Sequence, residues 1–525
     1  MRIRHFLLCL LPLRGVVHAD YFDDTGYRTL AAALGNVLPN GAGLRITQVE
    51  FGDPQYLPEM GTATFAGVAA LMSGKSFTAK SGASAGSAHA FMVGEHFYGL
   101  NSNPGLGRAG FTPGISMIDL YRVDPEESVT SWTAEAGLTP NDTTAPLTEL
   151  AVVQNHSWIS TGSSLSAFGD NDILRRFDFA IVRDGYLAVT GVNNGASAVP
   201  ALMASAYNNL AVGSSDGNHS IGGVPSWVNG PGRQKPEITA PLDYTSFSTA
   251  LVSSAGALLR QGANAQGGAA IRPQTLKAIL LAGATKEEFP GWTHTPTTPL
   301  DAVFGAGELN IANSWYILSG LEQAANLATA RPDFAWAAAT LTTTTTADYR
   351  LSIPPGFTGE ALSAVVCWNR IVRDANPGPA FVMAVDTLAD YNLTLARLPM
   401  TGSPVVLEES LSTDHNLEHV YRRALPSGTY RLRLSLGAGS NVPASLAWRL
   451  TPVAHRPGIT LTQIGGQDHL NFTGLITAQS YLVQSSPDLR SWSPQLAFTA
   501  MGPAFTWNTT SLAGRRFYRL AATDG

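Results

Sequence analysis

Ser246 stands where an extended segment meets a helix, in the run KPEITAPLDYTSFSTALVSSAGALL (235–259). The first backbone N–H groups of a helix have no partner inside it, and the positive end of the helix dipole lies there. A serine in that setting is placed for nucleophilic acyl chemistry, because an oxyanion formed beside it meets free N–H donors. The same window has a plainer reading: a helix of small residues packed close to a sheet, with Ser246 as an ordinary N-cap.

Four further windows follow in chain order. In GLRITQVEFG (43–52), Leu44, Ile46, Val49 and Phe51 make a short apolar strand between glycines, with Glu50 near its end. SAHAFMVGEHFYG (87–99) carries His89 and His96 on a helix that closes at Gly99. LAVTGVNNG (187–195) reads as a strand running into an N-N-G turn, with Asn193 in the turn. The fourth group is scaffold. MIDLYRV (117–123), VVQNHSW (152–158) and NLAVGSSDG (209–217) read as strands. In NDILRRFDFAIVRDG (171–185), Ile173, Leu174, Phe177, Ala180 and Ile181 recur at helical spacing before Gly185. QTLKAILLAGA (274–284) and FGAGELNIANSW (304–315) close the series. Alternation of strand and helix points to an α/β fold with a mostly parallel sheet.

Together these windows resemble subtilisin-like serine proteases (subtilases), in that family's own order of acid, histidine and serine. Thr245-Ser246 fall on the T-S of its serine motif and Ala257-Leu258-Leu259 on its A-L-L. The resemblance covers roughly residues 40–315. It implies that Ser246 is the nucleophile, His89 the general base, Glu50 the acid that orients it, and Asn193 the oxyanion-hole donor. Asp53 is a spare carboxylate past the strand, ranked below Glu50. Register favours His89 over His96, which would misalign the apolar positions.

The chain departs from the family at two places. Glu50 replaces the aspartate and is one methylene longer, so either the backbone stands farther from the histidine or the side chain folds back. Tyr244 replaces the glycine before the nucleophile, where it can crowd the cleft or restrict the turn.

The 525 residues exceed one domain. Residues 1–19 read as a signal peptide: Arg2 and Arg4, an apolar FLLCLLPL and a Val17-His18-Ala19 cleavage site. Residues 20–325 are expected to be the subtilase-like three-layer domain. Residues 335–453, with ALSAVVCWNR and LPSGTY, resemble the β-sandwich domain of some bacterial subtilases. Residues 457–525 read as a small C-terminal β domain. The expected location is extracellular or the bacterial cell envelope. About thirty residues between Ala19 and Glu50 are too few for the family's usual pro-segment.

The net charge of −6 falls to −9 once Arg2, Arg4 and Arg14 leave with the leader, which speaks against nucleic acid as a partner. No stretch is expected to span a membrane. Cys9 goes with the leader, and Cys367, in the apolar run AVVCW, is expected to be a lone buried thiol. The implied reaction needs no cofactor. Calcium is common in subtilases, but no ligand set stands out here, and Asp414, Asn416 and Glu418 fit either an ion site or a polar turn. The expected partner is a protein or peptide substrate, and nothing in the chain speaks to oligomeric state. The alternative function is a catalytically inactive subtilase-fold protein that binds a surface or matrix.

Overall fold

The computed structural model describes residues 20–52, 55–60, 69–100, 109–123, 132–159, 167–199, 202–224, 228–230, 232–376, 378, 380–454, 457–510 and 516–523. The expected signal peptide and Asp53 lie outside them.

A seven-stranded sheet forms the centre of the first unit. Its strands in chain order are β1 (Arg45–Phe51), β2 (Ser76–Ala79), β3 (Met117–Val123), β4 (Val153–His156), β5 (Leu187–Gly191), β6 (Leu210–Ser214) and β7 (Ile238–Ala240). Their spatial order is β7-β6-β5-β4-β1-β3-β2, and every pairing is parallel. Strands β5 and β6 are buried along their whole length, as a parallel sheet covered on both faces requires.

Helices α1 (Ala88–Tyr98) and α3 (Thr245–Asn264) lie on one face. They share a core with Ile46, Leu187 and Val189. Helix α2 (Ala167–Asp184) covers the other face. There Ile173, Leu174, Phe177 and Ile181 meet Val49 and Ala188, which point the opposite way along their strands. Small residues bring α3 close to the sheet: a Cβ on Gly256 would lie 2.6 Å from Leu187 Cδ2. The α/β three-layer class expected from the sequence is the one observed.

Helix α4 (Pro273–Gly283) is buried at all eleven positions. It packs on α5 (Ile311–Ser319) and on strands Phe357–Trp368 and Ala444–Ala454 of the next unit, so apolar residues all round it are satisfied. Thr275 and Ser445 hydroxyls meet at 2.6 Å across this seam, and Asn416 Nδ2 donates to the Tyr207 carbonyl at 2.8 Å.

The strands that follow are mostly antiparallel. A five-stranded and a four-stranded sheet enclose Tyr349, Trp368, Tyr391 and Trp448. Cys367 faces the other way, buried in the first unit's core with Leu276, Ile279 and Leu280, and burial pushes its thiol up to about 12. Two three-stranded sheets from Gly458 onward enclose Phe472 and Tyr481. Asp414, Asn416 and Glu418 do not converge on one point. Asn416 reaches Tyr207 and Trp368, Glu418 accepts from Ser410 and from the Ser412 N–H, and Asp414 is exposed. Among the described residues no group of His, Cys, Asp or Glu is arranged to hold a metal ion, and no helix is long and apolar enough to cross a membrane.

Candidate active site

The chain runs from β1 outward to β3 and β2 on one side, and from β4 to β7 on the other. The crevice outside the carboxyl ends of the strands at such a reversal is where open α/β sheets take their ligands. Glu50 lies at the carboxyl end of β1, Ser157 and Trp158 just beyond β4, and Asn193 and Asn194 just beyond β5.

Glu50 is fully buried, and its Oε2 lies 2.7 Å from His89 Nδ1. His89 is the second residue of α1, whose first turn is capped by Ser87 Oγ accepting from the Ala90 N–H at 3.2 Å. Its side chain keeps 38% of its surface exposed, so the ring bridges a buried carboxylate and the solvent. Burial works to lower the His89 pKa, but the Glu50 charge and its hydrogen bond outweigh burial, and the net shift is upward. His96 sits elsewhere: its Nδ1 hydrogen-bonds the Met92 carbonyl, and its ring stacks on Phe247 at 5.0 Å.

Ser246 is the second residue of α3, and the N-cap is Tyr244. The plainer reading of Ser246 as the cap is therefore corrected: Phe247 and Ser248 N–H groups donate to the Tyr244 carbonyl, both at 3.0 Å. The Ser246 N–H donates to no described residue. Tyr244 has φ −126° and ψ 136°, extended backbone open to any residue, so its turn does not require glycine. Its ring leans edge-on against Phe247 at 5.7 Å. Phe247 in turn lies 6.3 Å from the His89 ring, which sets the histidine beside the residue that follows the serine.

Ser246 Oγ donates to the Ser157 carbonyl at 3.3 Å and not to His89. Ser157 Oγ returns the contact to the Ser246 carbonyl at 2.8 Å. A pocket lined by Ser157, Trp158, Gly191, Asn193, Asn194 and Ser246 opens next to this pair. Trp158 is held by its indole N–H, which donates to His156 Nδ1 at 3.1 Å. Burial pushes His156 down to about 3, so that nitrogen stays an acceptor.

Both turn asparagines line the pocket, but they are held differently. Asn194 Oδ1 accepts from Thr245 N–H at 2.9 Å and from Thr245 Oγ1 at 3.0 Å. This pins its amide one residue from the serine and leaves Nδ2 uncommitted among the described residues. Asn193 contributes its carbonyl, which accepts from Ser220 N–H at 2.8 Å. The sequence reading singled out Asn193 and passed over Asn194, Gln48, Tyr98 and Ser157. Of these, Gln48 had a local signal: it shares a strand face with Glu50 and is polar where that face meets a helix.

No protein-family model matches the chain. No curated protein matches it either. Solved structures similar to it include the MycP3 protease from the type VII (ESX-3) secretion system, at 14% identity over 55% of this chain and 87% of that one, with a TM-score of 0.33. A Pseudomonas sedolisin, a serine-carboxyl proteinase, is 16% identical over 57% of this chain and 98% of that one, with a TM-score of 0.36. A lanthipeptide protease is 12% identical over 57% and 93%, also with a TM-score of 0.36. At these values the likeness assigns neither residues nor activity to this chain.

Proposed function

We propose that this chain is a secreted serine endopeptidase of subtilisin-like fold that works through Ser246, His89 and Glu50. The observation that carries the reading is the 2.7 Å contact between a fully buried carboxylate and the Nδ1 of a partly exposed imidazole, beside a helix with a serine in its first turn whose N–H meets no described acceptor.

The carboxylate can only accept, so it holds His89 with the proton on Nδ1 and leaves Nε2 as the base. Ser246 Oγ attacks the peptide carbonyl as Nε2 takes its proton. The imidazolium formed is stabilised by Glu50, and it gives the proton to the amine as the C–N bond breaks; a water, deprotonated by the same Nε2, then attacks the acyl-Ser246 carbonyl, releasing the acid and returning the proton to Ser246 Oγ. The Ser246 N–H and a side-chain amide of the N-N turn receive the oxyanion. The pinned amide of Asn194 suits that role better than Asn193. Catalytic hydrogen bonds commonly tighten only once substrate is bound, which accounts for a Ser246 hydroxyl resting on Ser157.

The hydroxyl's rest position is also the one observation favouring the other reading, a catalytically inactive binding protein. Labelling decides between them. A fluorophosphonate is expected to modify the purified protein at Ser246, and Ser246→Ala to abolish both labelling and peptide hydrolysis. Absence of labelling in the folded wild type, or labelling that persists in Ser246→Ala, refutes the peptidase reading.

A further inference from the structure

We infer that Gln48 and Tyr98 are positioning residues that hold the Glu50 carboxylate on His89, an inference that rests on the catalytic reading of that pair. Residues 48 and 50 project from the same face of β1 because side chains alternate along a strand. Gln48 is fully buried, and its Nε2 donates to Glu50 Oε1 at 2.8 Å and to the Ala90 carbonyl at 2.9 Å. Its Oε1 accepts from the Tyr98 hydroxyl at 2.6 Å.

The direction of each bond is forced. A carboxylate and a carbonyl can only accept, so the Gln48 amide must turn its NH₂ to Glu50 and Ala90. Its oxygen then faces Tyr98, which must donate. The result is a one-way chain from Tyr98 through Gln48 to Glu50, whose other oxygen receives His89.

Two structural consequences follow. Gln48 ties β1 to Ala90, the neighbour of His89 in α1, so one amide sets the separation of acid and base. It also restrains the torsion that glutamate has and aspartate lacks, which would otherwise cost entropy each time the carboxylate engaged the ring. Tyr98 reaches Gln48 because residue 94 is glycine: a Cβ there would lie 2.4 Å from the Tyr98 hydroxyl oxygen. Burial and the nearby Glu50 charge raise the Tyr98 pKa, so the phenol remains a donor. Glu50 is the charged group acting on His89, and Phe247 is the aromatic wall facing it.

The experiment follows the His89 ring by NMR titration in the full chain, with kcat and KM measured beside it. In Gln48→Leu the buried carboxylate keeps His89 as its remaining side-chain donor. The imidazolium is then held more tightly, and the titration midpoint is expected to rise by about one pH unit. We expect kcat to fall roughly tenfold with KM little changed. Tyr98→Phe, which removes only the hydroxyl, is expected to move both in the same direction by less. Thr112→Val removes another buried hydroxyl that bonds to α1, at the Phe97 carbonyl, and is expected to move neither. A His89 midpoint unmoved or lowered in folded Gln48→Leu overturns the inference. If that variant does not fold, a midpoint and kcat unchanged in Tyr98→Phe do so. The titration needs no turnover, so a wild type that cleaves no peptide would sink the peptidase reading and leave this test standing.

Discussion

Glu50→Gln isolates the task of the acid, and the structure fixes what the amide must do. Gln48 presents an NH₂ that cannot turn away, because its oxygen is held by Tyr98 and its second N–H by Ala90. A glutamine at position 50 must therefore give its oxygen to Gln48 and its own NH₂ to His89. That forces His89 Nδ1 to be the acceptor and puts the ring proton on Nε2, where it blocks proton transfer from Ser246. The hydrogen bonds to Gln48 and His89 are both kept and the amide's second N–H is the one donor added, so the thermal unfolding midpoint should fall by a few degrees at most. Imposing the wrong tautomer on a triad histidine costs about 10⁴ in turnover, equivalent to about 5.4 kcal/mol of barrier. The assay is kcat on a fluorogenic peptide, with folding checked by thermal unfolding. A second variant tests the cause. In Gln48→Leu/Glu50→Gln the amide at 50 is no longer held, and its oxygen can return to His89. The double variant should then be roughly tenfold more active than Glu50→Gln alone, a coupling ordinary for residues of one network. A Glu50→Gln enzyme within tenfold of wild type, or a double variant no better than the single, refutes the reasoning.

Asn194→Ala should lower kcat by about 10²–10³, the usual cost of one oxyanion donor, and Asn193→Ala should cost less; the reverse ranking would return the role to Asn193. On the proposed mechanism neutral His89 is the base, and Glu50 favours the charged form of that ring, so kcat/KM should rise with pH through a midpoint above the ordinary histidine value. In stability the sign is opposite: the His89–Glu50 pair contributes fully below the unfolded histidine pKa and is lost as pH rises through the raised folded value, measurable as the pH dependence of unfolding in wild type against His89→Gln. Burial, with smaller pushes from Glu288 and Asp24, raises Glu308 from 4.5 to about 7 against a lowering hydrogen bond from Ser215. The folded state thus holds that proton longer than the unfolded one, and stability should fall as pH rises from about 4.5 to about 7, by about 3 kcal/mol at most. Denaturant unfolding of Glu308→Gln should show a flatter profile over that window, and an identical profile would refute the assignment.

Much of the scaffold was legible along the chain, because the signals are local. The short apolar run between glycines in 43–52, helical spacing in 171–185 and the small-residue run after Ser246 each specify an element through neighbouring residues, and those elements form. That Glu50 lies at a strand end and Ser246 near a helix start could likewise be read from the letters. What folding alone decided is which polar atoms meet. Asn193 and Asn194 are equivalent as an N-N turn, and only the approach of Thr245, fifty-one residues later, separates them. Tyr244 looked obstructive beside a glycine pattern, yet its effect depends on φ and ψ, which the packing of α3 sets. Gln48 and Tyr98 are fifty residues apart, and their contact exists because α1 docks on β1 with Gly94 leaving room. Hydrogen bonds act over about 3 Å, so a pattern of residue types determines the elements, whereas the partners of each donor and acceptor are determined by how those elements pack.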